Sequence, residues 1–204
     1  MRWMHAWVLA GALAWGGAAA PRCAAEADAG QPAPAFTATD TAGTPHSLEA
    51  LKGKFVVLEW FNHECPFVRK HYGSGNMQRL QQEWTTRGVI WLSVNSSAPG
   101  KQGHLSPEQA DALTAEKSAA PTAVILDPAG ALGRLYGAKT TPHLFVINPE
   151  GVVVYAGAID DHASTDPADI PQAVNYVQEA LESALAGQPV ATPQTRSYGC
   201  SVKY

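Results

Sequence analysis

The run Lys54 to Phe61 (KFVVLEWF) constrains this chain more than any other segment. A continuous β-prone apolar stretch bounded by Gly53 and Asn62 describes a strand buried on both faces, which demands covering layers above and below it. The 204 residues, 46% of them apolar, can supply one core of that kind but are too few for two. Glu59 stands inside the run. An acid there is either satisfied by partners or functional, because an ionised, unpaired carboxylate in an apolar interior is costly.

Around this strand the pattern alternates. Phe36 to Leu51, with turn residues Asp40 to Gly43, reads as a hairpin and one helical turn. Cys65 to Arg87 is helical with a break at Tyr72 to Asn76 (YGSGN), and Val89 to Asn95 is a second apolar strand. Ser106, Pro107, Glu108 and Gln109 fit the start of a helix, with a side-chain cap followed by proline in the first turn. Strands follow at Thr122 to Asp127, Leu144 to Asn148 and Val152 to Ala156, with a short helix at Gly130 to Tyr136 and an NPEG turn at Asn148 to Gly151. A last helix is expected over Ile170 to Ala186, with Val174, Val177, Leu181 and Leu185 on one face and Gly187 as its stop. This order predicts an α/β domain, a mixed central sheet with helices on both faces.

Residues 1–25 read as a secretory signal peptide: Arg2, then an apolar stretch, then small residues before a cut after Ala25. Gly11, Gly16, Gly17 and Pro21 make it a poor membrane span, so membrane contact is expected only if the segment is retained. Ala20, Pro21 and Arg22 before Cys23 do not suit lipidation. The expected layout is thus a domain over 26–187 and a tail over 188–204, in a periplasmic or secreted protein. The net charge of −4 and the lack of a basic stretch exclude nucleic acid as an expected partner. With Cys23 removed, Cys65 and Cys200 remain, in a compartment where disulfides persist.

The buried strand leads through Asn62, His63 and Glu64 to Cys65, Pro66, Phe67 and Val68 at a helix start. A thiol there meets free backbone N–H groups and the positive end of the helix dipole, which favours the thiolate and so makes a nucleophile. The competing reading is a small buried apolar residue.

EWFNHECPF resembles the strand and active-site turn of the thioredoxin-like superfamily, and TTPHLFVINPEGVVVYAGAIDD resembles its second half. The resemblance runs from about Pro34 to Leu185. The longer leader, the Ser106 helix and the NPEG hairpin look like the redoxin branch, which includes TlpA-type oxidoreductases and the AhpC/TSA-like peroxiredoxins. It implies a thioredoxin-like fold, a cis bond between Thr141 and Pro142, and a substrate groove at Pro66, Thr141 and Pro142 beside Cys65. It also implies electron exchange between sulfurs without cofactor or metal, with a thioredoxin-like donor and a protein disulfide, thiol or hydroperoxide as partners. Glu59, six residues before Cys65, matches the buried acid that assists proton transfer in thioredoxin; the alternative is an acid tied up by a lysine or backbone donor.

Three departures from the family pattern bear on function. CPFV stands where a CxxC pair is usual. Asn62 and Leu58 stand where peroxiredoxins carry Thr or Ser and Pro, and Pro142 and His143 replace their arginine, which counts against efficient peroxide reduction. Cys200 lies in the tail, as a candidate to resolve a bond to Cys65, though a structural disulfide or a free surface thiol stays open. The expected activity is therefore thiol–disulfide exchange through Cys65, Cys200 and Glu59. The alternatives are a thiol peroxidase and a copper- or peptide-binding module, the latter drawing on His63, His71 and His143 near Cys65. Asp160, Asp161 and His162 read as turn and cap residues, and Trp60, Phe61, Phe67 and Tyr72 as packing.

Overall fold

A computed structural model describes Met1 and residues 27–204. The proposed signal peptide therefore lies outside the described residues apart from Met1. An opening hairpin pairs β1 (Thr37–Thr39) with β2 (Pro45–Ser47), and a 3-10 turn over Glu49–Leu51 follows it. The domain then runs β3 (Val56–Trp60), α1 (Pro66–Gly73), α2 (Asn76–Thr86), β4 (Ile90–Asn95), α3 (Pro107–Glu116), β5 (Ala123–Leu126) and α4 (Ala131–Tyr136). It closes with β6 (Thr140–Thr141), β7 (His143–Ile147), β8 (Val153–Gly157), α5 (Tyr176–Leu185) and β9 (Cys200–Ser201).

Five strands form the central sheet in the order β5-β4-β3-β7-β8. The first three are parallel, and β7 and β8 join antiparallel. As expected of KFVVLEWF, every residue of β3 is buried. Side chains alternate across the pleat, so Val56, Leu58 and Trp60 enter one core with Phe36, Leu132, Tyr136 and Phe145. Val57 enters the other core with Leu80, Trp84, Trp91, Val177 and Leu181 from α2, β4 and α5. This is the α/β thioredoxin-like arrangement, a mixed sheet with helices on both faces.

Local signals set the helix ends. The Ser106 hydroxyl accepts from the Gln109 N–H while the Gln109 side chain accepts from the Ser106 N–H, closing a capping box on α3. The last helix is shorter than its apolar spacing implies. Pro167–Gln172 forms a 3-10 segment, the chain then extends through Ala173, and Asn175 caps α5 by accepting from the Gln178 N–H. Val174, which fits the helical stripe in sequence, therefore falls before the helix and is 41% exposed. Among the described residues no helix is long and apolar enough to cross a membrane.

Candidate functional site

The site begins where β3 ends. Asn62 turns the chain: its carbonyl accepts from the Cys65 N–H, its side-chain oxygen accepts from the Glu64 N–H, and its amide donates to the Gln102 carbonyl. Cys65 is the cap residue of α1 in extended conformation, and Pro66 takes the first helical position, where a missing N–H costs nothing. The Cys65 side chain is 0% exposed, packed with Phe61, Val68, Leu105, Ala110 and Val124, with Cys200 against the same cluster.

β6 approaches from the other side. The Thr141–Pro142 bond is cis, matching the expectation from the family resemblance. The Cys65 thiol donates to the Thr141 carbonyl at 3.1 Å. β9 pairs antiparallel with β6, placing Cys200 opposite Thr141 and Ser201 opposite Thr140. Gly199 makes that approach possible. Its φ is +127°, and a Cβ there would lie 2.1 Å from the Thr141 carbonyl oxygen. Both cysteines are free thiols, and Cys200 lies close enough to Cys65 for each to shift the other's ionisation.

The two sulfurs are tuned in opposite directions. Burial pushes the Cys65 pKa up, but the polar groups around the sulfur, the Cys200 thiol first among them, outweigh it and leave Cys65 below an ordinary thiol. Cys200 is pushed up to about 11 by burial and by its hydrogen bond to, and the charge of, Cys65, with Lys203 opposing. The two thiols therefore ionise in a fixed order, Cys65 before Cys200.

Glu59 is fully buried in a set of donors, one of which, Tyr72, also packs against the Cys65 cluster. Tyr72 Oη donates to Oε1 at 2.8 Å; Trp91 Nε1, Ser93 Oγ and Gln81 Nε2 donate to Oε2 at 2.8, 2.9 and 3.1 Å. Burial raises its pKa, and these four donors pull the other way. Its partners are thus side chains rather than a lysine or the backbone, and neither sulfur is among them. Tyr72 and Ser93 also line a mostly apolar cavity of about 450 Å³ with Phe61, His63, Val68 and Leu113.

The three histidines do not gather at Cys65. His143 is buried against Phe145, and burial lowers its pKa to about 4. His71 is buried beside Asp160 and Tyr198, and His63 lies on the cavity wall. Among the described residues no group of three or more His, Cys, Asp or Glu side chains could hold a metal ion. Asp160 does close a turn, accepting from the His162 N–H at 3.0 Å, but it is also buried and ion-paired with Lys70 at 3.8 Å. Lys70 and Tyr198 are the residues that sequence reasoning passed over, and Asp160 was read only as a turn and cap residue. The one local signal was the position of Tyr198, two residues before Cys200.

The AhpC/TSA family profile matches residues 29–156. Among solved structures, the chain is similar to an uncharacterized conserved protein from Geobacillus kaustophilus, with 27% identity, a TM-score of 0.75, and coverage of 87% of this chain and 93% of that one. A candidate thiol:disulfide interchange protein, DsbE, from Chlorobium tepidum is 26% identical with a TM-score of 0.57 over 78% of this chain and 98% of that one. A hypothetical protein from Sinorhizobium meliloti, 22% identical with a TM-score of 0.70 over 86% and 94%, shares the fold. No curated protein matches the chain.

Proposed function

From a chain that belongs to the AhpC/TSA family, we propose an extracytoplasmic thiol–disulfide oxidoreductase in which Cys65 is the nucleophile and Cys200 resolves. The observation that carries this reading is the β6–β9 pairing that sets Cys200 opposite Thr141, the residue whose carbonyl the Cys65 thiol meets, and the two thiols are shifted in opposite directions. The Cys65 thiolate attacks one sulfur of a partner's disulfide; that S–S bond breaks and the first partner sulfur leaves as thiolate. Cys200 then loses its proton and attacks the Cys65 sulfur, breaking the mixed disulfide and releasing the second partner thiolate. Two electrons pass to the partner, and the Cys65–Cys200 disulfide that remains is reduced by a dithiol donor of thioredoxin type. Pro66, Thr141 and Pro142 border the attacking sulfur. Likeness to the Chlorobium tepidum protein supports a protein-thiol substrate.

A second reading is favoured by one observation, the 0% exposure of Cys65 beneath the tail. A small oxidant reaches such a sulfur more readily than a protein does. In that case the thiolate takes one oxygen of a hydroperoxide, the O–O bond breaks, water or an alcohol leaves, and Cys200 condenses with the sulfenic acid, releasing water. The test is to mix reduced protein with either a protein disulfide or hydrogen peroxide and follow the Cys65–Cys200 disulfide by peptide mass mapping. Faster conversion by the disulfide substrate is expected. Faster conversion by peroxide, with no donor present, would replace the first reading by the second.

A further inference from the structure

A buried polar chain lies beside the site and takes no part in the steps above. Its members come from three places: Lys70 and His71 from α1, Asp160 from the loop after β8, and Tyr198 from the tail. The Lys70 and His71 side chains are wholly buried, and that of Asp160 nearly so.

The hydrogen bonds run in one direction. Asn76 Oδ1 accepts from Arg79, so its amide faces His71 and donates to Nδ1 at 2.9 Å. With Nδ1 accepting, the imidazole proton sits on Nε2, which donates to Tyr198 Oη at 3.3 Å. Tyr198 Oη in turn donates to Asp160 Oδ1, whose other oxygen lies 3.8 Å from Lys70 Nζ. Lys70 also donates to the His162 carbonyl at 3.0 Å. Every member has a partner, and the end point is a carboxylate held by a buried ammonium group. The Phe67 ring packs on the Tyr198 ring with centroids 5.7 Å apart.

The placement gives this chain a purpose. Phe67, Lys70 and His71 belong to the same helix whose cap residue is Cys65, so the ring contact and the His71 bond to Tyr198 are tied to that helix directly, and Asp160 is tied to it through Lys70. Cys200 stands two residues after Tyr198, with one bent residue, Gly199 at φ +127°, between them, so the position of Tyr198 bears directly on where Cys200 falls. Burying an ion pair is a weak source of stability, because the desolvation cost offsets most of the attraction; such groups are better suited to fixing one arrangement among several.

Resting on the reading of Cys65 and Cys200 as an exchanging pair, we infer that Tyr198 and Asp160, supported by Lys70 and His71, are positioning residues that set the register of Cys200 on Cys65. The tail itself is built from short contacts, and a two-residue strand pair cannot by itself fix a sulfur. The Tyr198 hydroxyl supplies the missing coordinate.

The experiment equilibrates wild-type protein and Tyr198→Phe in glutathione redox buffers and quantifies the Cys65–Cys200 disulfide by mass spectrometry. Tyr198→Phe keeps the ring against Phe67 and removes only the hydroxyl. The equilibrium constant for pair formation falls by about ten- to a hundredfold, the scale of one hydrogen bond to a charged group. In parallel, the rate of Cys65 alkylation by iodoacetamide is measured on both reduced proteins; it rises by a similar factor as the tail lifts. Unchanged equilibrium and unchanged alkylation in Tyr198→Phe would overturn the inference. Wild-type protein that never forms the disulfide would sink the exchanging-pair reading instead, and the alkylation ratio would still decide whether Tyr198 holds the tail. Asp160→Asn, which keeps the shape and removes the charge, should reproduce the Tyr198→Phe shift; wild-type values in Asp160→Asn would remove Asp160 from the device.

Discussion

Cys65 is fixed where a central strand gives way to a helix and is sealed from solvent, whereas Cys200 rides a two-residue strand near the chain end and stays partly exposed. The first environment is made by the core: β3 is buried along its whole length and Asn62 shapes the turn. The second is made by the tail's successive attachments. Thr195 bonds to Ala156 and Ala158, Tyr198 to Asp160, Cys200 pairs with Thr141, and Tyr204 donates to the Ala138 carbonyl. A nucleophile needs a fixed electrostatic setting; a resolving thiol needs proximity and freedom to leave. In the proposed exchange, with Cys65 attacking and Cys200 resolving, the contrast assigns those two requirements to two kinds of structure.

Substituting each cysteine breaks the comparison most sharply. Cys65→Ser abolishes turnover and mixed-disulfide formation together. Cys200→Ser stops turnover but leaves the first step within roughly tenfold of wild type, the effect of about one altered hydrogen bond, and it traps the partner covalently, which mass spectrometry of the adduct checks. Equal loss of the first step in both variants would erase the distinction between nucleophile and resolver.

The ionisation of the two sulfurs sharpens it next. A thiol with a lowered pKa is ionised from a lower pH upward, so Cys65 should give its ultraviolet thiolate signal below the ordinary value of 9.0, while Cys200 waits until about 11. Titration of wild type and Cys200→Ala assigns the two steps. Removing the Cys200 donor should also move the Cys65 step upward.

Glu59→Gln probes the layer behind both. Four donors aim at this carboxylate, and an amide can accept only part of them, so stability falls by about 2 kcal/mol in denaturant titration. The pH dependence has a defined sign. Because the folded-state pKa lies above the unfolded one, the Glu59 contribution is fully present below about 4.5 and is lost as pH rises through the raised value. The variant should lack that decline. A loss of turnover beyond the loss of folded protein would assign Glu59 a proton-transfer role as well.

The smallest effect concerns the distal anchor. Tyr204→Phe removes one partly buried hydrogen bond to Ala138 and keeps the ring under Arg134, whose guanidinium sits 4.5 Å from it. It should cost about 1 kcal/mol or less of thermal stability and leave the Cys65–Cys200 equilibrium unchanged. A larger redox effect here than at Tyr198 would show that the tail is held from its end.

What was legible in the sequence follows the range of the interactions. KFVVLEWF, the Ser106 capping box and the turn into Cys65 are written in neighbouring residues, and they appear where the sequence places them. The extra turn expected at Ile170 was also a local matter: Val174 fitted the apolar stripe, but Pro171 and the capping Asn175 outweighed it. Glu59 could be read as an acid in need of partners, yet Tyr72, Gln81, Trp91 and Ser93 come from three different elements and no spacing announces them. The pairing of Thr141 with Cys200 and the meeting of Lys70, Asp160 and Tyr198 span still longer stretches of chain. Composition and periodicity carry no record of such contacts.

The antiparallel pair of β6 and β9 also orders events in time. The sheet and α1 are complete in sequence by Gly157, whereas Cys200 follows some forty residues later, so the pocket around Cys65 stands open until the tail is made. Only when Cys200 pairs with Thr141 is that pocket covered, so the burial of Cys65 is the last feature of the site to be built.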